Sequence, residues 1–542
     1  MSKLVSEFPH PYTPTENQVN TLERIERAFA KGTKFVICNA PTGSGKSFLA
    51  RTLQAYAKMP STRFVELIRT YDAFRMEYTG GFSNAQECRQ QPAHGAAVLT
   101  ITKALQNQYT ESFKETKMLK GKSNYDCAID NNFDVDTAPC LFLPKLKDDC
   151  WKANKCPYYN ARNDALLAPF SAYNYKMFLA LPDHIKHKNI IICDEASELE
   201  EELVKMFSAD IIYTKLKYCG IEYKPLLSDA YEAVLPWVGD IKQQIDNKIE
   251  TITSKVAKSK HPLSQVDKAK LTALRNLLNS VKTVQESWTQ CEYVVDRSAD
   301  GVTLTPLKVN NLSHNLFDYA DKVLLMSATI IDHKHYAKTL GITNYEYIEV
   351  DSTFDAKKSP IYVASKYRIN YNNLNKLLPM IAEEVAKICE HHKNEKGIIH
   401  THSMDICNFL QKKLGSNHRF LFRNDKDNNE DILEKHTVFK DPTVLVSPSL
   451  SYGVDLKDDL ARFQVIIKLP YLPLGNKRIK KLFELDRPWY ENKMLNTLVQ
   501  ACGRATRNVN DHSVTYILDG GITDVLIRCK DKLPKHFLER FH

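Results

Sequence analysis

An eight-residue segment near the N-terminus constrains the fold of this 542-residue chain more than any other feature. Residues 40–47, APTGSGKS, follow the short apolar run 35–38 and precede a helix-compatible stretch, 48–57. A glycine-rich turn between a strand and a helix surrounds phosphate with backbone N–H groups and the helix N-terminus. Lys46 would then reach the β- and γ-phosphates of a nucleotide, and Ser47 would bind Mg²⁺. The predicted loop consists of Ala40, Pro41, Thr42, Gly43, Ser44, Gly45, Lys46 and Ser47, with Ala40 in place of the usual first glycine.

Short apolar, β-branched runs recur along the chain in two sets. Runs of this kind, bounded by turn residues and alternating with helix-compatible stretches, are typical of buried parallel strands. Two sets indicate two parallel sheets and therefore two α/β domains. The first set comprises residues 35–38, 97–101, 189–193 and 322–326. The second set comprises residues 361–363, 397–400, 443–446, 465–467 and 514–518.

Residues 200–305 follow a different pattern, because their apolar residues recur at helical spacing with almost no strand signal. We predict a helical insertion here, with a turn between two of its helices near residues 258–265.

Composition narrows the class of protein. The chain is 43% hydrophobic and 26% charged, which is ordinary for a globular protein. It has no run of about 18 uncharged apolar residues, which argues against a membrane span. The N-terminus lacks an apolar signal core, so we expect a cytoplasmic protein in a reducing compartment. We also expect a monomer. A net charge of +9 permits a polyanionic partner without requiring one.

A pair of carboxylates, Asp194 and Glu195, follows the apolar run 189–193. Carboxylates at the C-terminal edge of a parallel strand lie where open sheets bind ligands. Asp194 would hold Mg²⁺, largely through its water shell, and Glu195 would polarise the attacking water. Asp-Glu pairs are common on surface loops. This pair indicates a catalytic role only because the chain also contains a phosphate loop.

The segment 500–507, QACGRATR, carries Gln500 and two arginines three residues apart, Arg504 and Arg507. Arginines at this spacing share one face of a helix. Across a cleft they would neutralise the charge that develops on the γ-phosphate, as arginine fingers do. Taken alone, the segment is equally compatible with a solvated basic helix turn.

Four cysteines lie within thirty residues of polar, loop-like sequence: Cys127, Cys140, Cys150 and Cys156. A reducing compartment argues against a disulfide framework. The gaps of 12, 9 and 5 residues lack the paired CxxC knuckles usual for structural zinc. Four thiolates also bind a [4Fe–4S] cluster. From the residues alone, zinc and iron–sulfur remain equally open, and a coincidental grouping of the four cysteines is a third alternative.

The order of APTGSGKS, DEAS, LLMSATI and QACGRATR resembles that of superfamily 2 helicases, and more closely the DinG/XPD-like iron–sulfur DNA helicases. The likeness extends over nearly the whole chain. Residues 98–108 resemble the family's first DNA-contacting motif, and 447–456 resemble motif V. Residues 119–127, 157–162 and 172–175 resemble the segments that flank the family's iron–sulfur cluster.

The resemblance implies an ATP-dependent DNA helicase that moves 5′ to 3′ on single-stranded DNA and unwinds forked or tailed duplexes. It implies a [4Fe–4S] cluster on the four cysteines, near the point of strand separation. Gln18 would read adenine, and Asp455 would bind the ribose or a finger arginine. Ser327 and Thr329 would relay the nucleotide state. The implied DNA contacts are Thr102, Lys103, Gln106, His400, Thr401 and Ser403.

The expected architecture is α/β, with two RecA-like motor domains and two insertions in the first. Motor domain 1 would comprise residues 1–114, 159–199 and 306–345, and motor domain 2 residues 346–542. The iron–sulfur domain would comprise 115–158, and a helical arch-like insertion 200–305. Two other functions remain open: a translocase that strips proteins or RNA from DNA, and an ATP-switched DNA-binding subunit of a larger complex.

Some positions depart from the family pattern. Ser197 stands where the family usually has His, and Thr15 stands where it often has Arg. The insertion is short for the family's arch, and residues 58–96 match no family segment. So compact a chain is compatible with a phage or mobile-element origin.

Overall fold

The computed structural model describes residues 2–69, 82–141, 146, 149–150, 153, 155–258, 264–352, 354–423, 429–448, 458–505 and 511–542. Within them, two parallel sheets and one small antiparallel sheet carry the architecture. No helix in these ranges is both long and apolar enough to cross a membrane.

The first parallel sheet has seven strands in the order β10-β1-β9-β5-β2-β4-β3. Its central strands are apolar on both faces because helices cover both sides, and every residue of β5 is buried. All four predicted runs of the first set lie on strands of this sheet. The strands are β1 (Phe35–Asn39), β2 (Ala96–Thr100), β3 (Lys117–Leu119), β4 (Phe170–Asn174), β5 (Lys188–Asp194), β9 (Ala320–Ser327) and β10 (Tyr345–Glu349).

The second parallel sheet has six strands in the order β11-β16-β15-β12-β14-β13. The five predicted runs of the second set lie on strands of this sheet, and β13 joins them at the edge. The two sheets confirm the predicted pair of α/β domains. The strands are β11 (Ile361–Val363), β12 (Gly397–His400), β13 (Phe420–Phe422), β14 (Val444–Ser447), β15 (Phe463–Ile466) and β16 (Val514–Ile517).

The insertion contains two long helices, Tyr231–Lys258 and Gln265–Ser287, which pack against each other. Val234, Val238 and Ile241 of the first helix share a core with Leu274 and Val281 of the second. These residues recur at intervals of three, four or seven, so they form one apolar stripe on each helix.

The insertion is not only helical, because an antiparallel sheet closes its base. The sheet has the order β6-β8-β7, with β6 at Ala209–Ile212, β7 at Tyr293–Arg297 and β8 at Gly301–Pro306. The sequence did not predict these strands. Ala209, Ile211 and Val295 turn inward to the helix core.

Most of the remaining α-helices cover the two parallel sheets and connect their strands. Tyr213–Cys219 packs instead against β6 and the helix Gln265–Ser287 of the insertion, and Lys477–Leu485 packs against the helix Arg487–Cys502 and β7. The remaining α-helices are Glu16–Ala30, Lys46–Thr52, Thr62–Arg69, Phe82–Arg89, Lys103–Ser112, Pro157–Leu167, Tyr175–Leu179, Leu199–Met206, Tyr213–Cys219, His314–Phe317, His333–Thr339, Leu374–His391, Met404–Leu414, Asn429–Val438, Lys477–Leu485, Arg487–Cys502, Ile522–Arg528 and Lys535–Leu538.

Candidate functional site

The phosphate loop leaves β1 at Asn39 and enters the helix Lys46–Thr52. Gly43 and Gly45 have φ angles of 81° and 78°, in the left-handed region that favours glycine. A Cβ at Gly45 would lie 2.2 Å from Nε2 of Gln18, so the close approach also requires glycine there. Nζ of Lys46 donates a hydrogen bond to the carbonyl of Ala40 across the loop, at 3.3 Å. The loop therefore has the shape that the sequence predicts.

Gln18 supports this loop from the neighbouring helix. Its Nε2 donates to the carbonyl of Ser44 at 3.0 Å. Its Oε1 accepts from the backbone N–H of Thr15 at 2.9 Å, which completes a capping box at the start of the helix Glu16–Ala30. The structure thus gives Gln18 a role in positioning the loop, and adenine reading stays a prediction.

Asp194 ends β5 beside the loop and is buried. Burial raises the pKa of its carboxyl to about 6, with a further contribution from Glu195, while Lys46 opposes the rise. The hydroxyl of Tyr109 donates to Oδ2 of Asp194 at 3.0 Å, and the N–H of Glu195 donates to Oδ1 at 3.0 Å. A buried carboxylate of this kind favours a divalent cation as its counter-charge.

A chain of hydroxyls connects Glu195 to the second parallel-sheet domain. Oγ of Ser327 lies 3.4 Å from Oε2 of Glu195 and 3.0 Å from Oγ of Ser197. Nε2 of Gln500 donates to Oγ of Ser197 at 3.2 Å and to Oγ1 of Thr329 at 2.9 Å. The short side chain of Ser197 thus joins the two domains at the position where the family usually has His.

A cleft lies between the two domains. Pro41, Thr42 and Glu195 line one side, and Gln500 and Arg504 line the other. The structure therefore brings the predicted phosphate loop, carboxylates and arginine segment together. Arg507 and Asp455 lie outside the described residues.

Three of the six predicted DNA contacts have buried side chains in this structure, and their role as DNA contacts stays a prediction. Gln106 is fully buried, and its Nε2 donates to the carbonyls of Leu119 and Ala172 at 3.3 and 3.4 Å. His400 and Thr401 are buried too, and burial lowers the pKa of His400 to about 3. The Gln106 side chain thereby connects its helix to β3 and β4.

The other three predicted DNA contacts lie partly or fully at the surface. Lys103 is exposed, and its Nζ donates to Oδ1 of Asn124 at 2.6 Å. Thr102 and Ser403 precede helices and are half-buried. Their role as DNA contacts stays a prediction.

The four cysteines lie on different local structures: Cys127 in a loop, Cys140 in the 3-10 helix Pro139–Leu141, Cys150 at a helical position, and Cys156 at the N-cap of the helix Pro157–Leu167. Cys127 and Cys150 are buried, and Cys140 and Cys156 are half-buried. Burial raises the pKa of the Cys150 thiol to about 11, and the nearby thiols of Cys156 and Cys127 raise it further. The N–H groups of Tyr158 and Tyr159 donate to the Cys156 sulfur, which opposes the burial effect on its pKa. Among the residues that the structure describes, no group of three or more Cys, His, Asp or Glu side chains is arranged to hold a metal ion.

Comparisons with known proteins agree with this geometry. The family model of the helicase C-terminal domain matches residues 385–539. The ATP-dependent DNA helicase XPD of Sulfolobus acidocaldarius is 23% identical over 524 residues, covering 89% of this chain and 92% of the relative. A probable ATP-dependent helicase of Methanocaldococcus jannaschii is 22% identical, covering 75% of this chain and 80% of the relative.

A solved structure shares the fold over nearly the whole length. This XPD helicase superposes with a TM-score of 0.63 at 15% sequence identity, covering 96% of this chain and 98% of the other. The matched domain, the full-length relatives and the fold agree with the order of motifs along the chain. The chain is therefore similar over most of its length to ATP-dependent helicases of the XPD type, and its residues 385–539 match the helicase C-terminal domain.

Proposed function

We propose that the protein is an ATP-dependent DNA helicase that translocates on single-stranded DNA, from 5′ to 3′, and unwinds duplex DNA. The observation that carries the proposal is the cleft in which Gln500 and Arg504 face the phosphate loop and Glu195. An ATP-driven motor needs two halves that close on the nucleotide, and this cleft has one set of phosphate-binding groups on each half. The relatives named above, two of them full-length ATP-dependent helicases by name, support the same reading.

Each group at the cleft has a chemical role in this proposal. Lys46 and the N–H groups of the loop would hold the phosphates, while Ser47 and Asp194 would hold Mg²⁺. Glu195 would orient and polarise the attacking water. Arg504 would neutralise charge on the γ-phosphate as the bond to the leaving ADP breaks. Gln500, hydrogen-bonded to Ser197 and Thr329, would report closure of the cleft to Glu195 through Ser327.

Single-stranded DNA would lie across both domains, held by phosphate contacts and stacking more than by base-edge recognition. Thr102 and Lys103 on the first domain and Ser403 on the second remain candidates for these contacts. The two domains would close on ATP and separate after hydrolysis. The DNA strand would advance in each cycle because the two domains bind it tightly in turn.

We further propose that the four cysteines hold a [4Fe–4S] cluster. Their donor chemistry fits this group: three of the thiols are near enough to influence one another's pKa, and two backbone N–H groups face the Cys156 sulfur, where they would stabilise a thiolate. The cluster would cross-link the predicted iron–sulfur domain, which has few apolar residues to stabilise it. Cys127, Phe133 and Ala138 form its small core, with Cys140 packed against them.

Anaerobically purified protein should be brown, with absorption near 400 nm and about four iron atoms per chain. Cys150→Ser should bleach this colour, whereas Cys219→Ser in the insertion should leave it unchanged. Metal analysis distinguishes the alternatives. A colourless protein with one zinc per chain would contradict the cluster and leave the ATPase proposal intact.

Unwinding of tailed duplexes tests the proposed function as a whole. With ATP and Mg²⁺, the protein should displace a strand from a duplex with a 5′ single-stranded tail and fail on its 3′-tailed counterpart. The same substrates with a protein bound to the DNA distinguish unwinding of the duplex from removal of the bound protein. Displacement of the bound protein without strand separation would contradict the helicase and favour a translocase.

A further inference from the structure

A buried ion cluster lies between the two domains, away from the nucleotide cleft. At its centre is Glu200, whose side chain is only 6% exposed, on the helix Leu199–Met206. Although the insertion is predicted to begin at residue 200, this helix packs through Leu199 and Leu203 into the core of the first domain and belongs to that domain. Nη2 of Arg478 lies 2.9 Å from Oε1 of Glu200, and Nζ of Lys493 lies 2.8 Å from Oε2. Nε1 of Trp489 donates to both oxygens, at 2.8 and 2.9 Å. All three partners belong to the second domain.

The charges in the cluster balance. Glu201 accompanies Glu200, at 3.6 Å from Arg478 and 3.2 Å from Lys493, so two carboxylates face two cations. Although burial opposes it, the attraction of Lys493 and Arg478 holds the pKa of Glu200 at about 2. Burial lowers the pKa of Lys493, but the same two carboxylates, together with Glu198, raise it above its ordinary value. A pair of this kind is a fixed contact, because removing one partner leaves an unpaired buried charge.

Lys493 connects the ion cluster to the nucleotide cleft, because it shares a helix with Gln500. Lys493 lies on the helix Arg487–Cys502, which also carries Asn496 and Gln500. Residues at spacings of three, four and seven share a helix face. All three contact the first domain: Lys493 at Glu200, Asn496 through its Oδ1 at the N–H of Ile331, 3.3 Å away, and Gln500 at Ser197 and Thr329.

The start of this helix is also held to the first domain. Asp486 caps it by accepting from the N–H of Trp489 at 3.2 Å, and the same carboxylate lies 2.9 Å from Nε2 of His335. Arg504 follows the other end of the helix, next to the nucleotide cleft. The helix is therefore held to the first domain at its N-terminal end, and Gln500 and Arg504 lie at its C-terminal end beside the cleft.

We propose that Glu200 is a positioning residue for ATP hydrolysis: by anchoring Lys493, Arg478 and Trp489, it sets where Gln500 and Arg504 stand over the phosphate loop. The inference rests on the proposed function. Glu200 itself does not line the cleft, so it acts through the helix and not through contact with the nucleotide.

Arg478 extends this anchor to the insertion. Its Nε donates to the carbonyl of Pro306 at the end of β8, at 3.0 Å. On the same helix, Nζ of Lys477 donates to the carbonyl of Val295 in β7, at 3.2 Å. If DNA displaced the insertion, the same cluster would therefore transmit the displacement to the helix Arg487–Cys502.

Glu200→Gln tests the assignment, because it keeps the shape and removes the charge. We expect the kcat for ATP to fall about 10-fold while the KM for ATP changes less than about 2-fold, since the phosphate loop is untouched. Adding Lys493→Gln restores charge balance, so the double variant should hydrolyse ATP several-fold faster than Glu200→Gln alone.

Glu292→Gln is the matched control. Glu292 pairs with Lys481 between the insertion and the second domain, but the Lys481 and Glu292 side chains are 42% and 59% exposed, so the pair should contribute little. Equal kcat values for Glu200→Gln and Glu292→Gln would overturn the proposal. So would a rise in the KM for ATP with kcat unchanged.

Hydrogen exchange followed by mass spectrometry separates this proposal from the proposed function. In Glu200→Gln, amides of the helix Arg487–Cys502 and of the peptide containing Ile331 should exchange at least about 10-fold faster, while peptides of β2 keep wild-type protection. This result is expected even if the wild type hydrolyses no ATP, in which case the proposed function alone fails. Unchanged exchange at the helix, or loss of protection in β2 as well, would refute a positioning role.

Discussion

Replacing Lys46 with alanine should reduce the DNA-stimulated rate of ATP hydrolysis by about 100- to 1000-fold, because it removes the one cation that the phosphate loop offers to the β- and γ-phosphates. In the structure, Nζ of Lys46 spans the loop to the carbonyl of Ala40. The left-handed Gly43 and Gly45 shape the loop independently of that contact, so the variant should fold. A coupled assay at saturating single-stranded DNA measures the loss.

Lys31→Ala is the matched control for Lys46. Lys31 is exposed at the C-terminal end of the helix Glu16–Ala30, in the same domain. Its loss should leave the rate within about 2-fold of the wild type. Equal rates for Lys46→Ala and Lys31→Ala would mean that the loop does not bind the reacting phosphates.

The second large effect is expected from Arg504→Ala. An arginine that neutralises the transferring phosphoryl group contributes about 1000-fold or more to kcat. Arg504 stands on the second domain, whereas the phosphate loop stands on the first, so nucleotide affinity should change far less than kcat. Steady-state kinetics and binding of a fluorescent ADP analogue separate the two quantities.

Arg27→Ala is the matched control for Arg504→Ala, because it removes an arginine that does not line the cleft. Arg27 is exposed, and its Nε donates to the carbonyl of Glu23 within its own helix. If Arg504→Ala lost nucleotide affinity and kept kcat, Arg504 would be a ground-state binding residue and not a finger.

Local features of the sequence predicted the two parallel sheets and the phosphate loop. Strands buried on both faces must be continuously apolar, and a left-handed turn before a helix needs glycine at fixed positions, as at Gly43 and Gly45. Both constraints act within about ten residues. They can therefore be read without knowledge of the rest of the chain.

Features that depend on distant partners could not be predicted in the same way. The strand β6 pairs with β8, about ninety residues later, and neither strand alternates clearly enough to stand out. Polar residues that follow a strand look alike in sequence whether they face solvent or, like Gln106 in the helix Lys103–Ser112 after β2, bind buried carbonyls. Tyr109, which holds Asp194, has no local signal, and neither has Glu200, whose partners lie nearly three hundred residues away.

The most direct test of the central claim is the rate of ATP hydrolysis by the wild-type protein, with and without single-stranded DNA. The account predicts Mg²⁺-dependent hydrolysis that rises several-fold when DNA is added, because DNA across both domains would favour closure of the cleft over the nucleotide. A rate that is the same with and without DNA, or that does not require Mg²⁺, would contradict it.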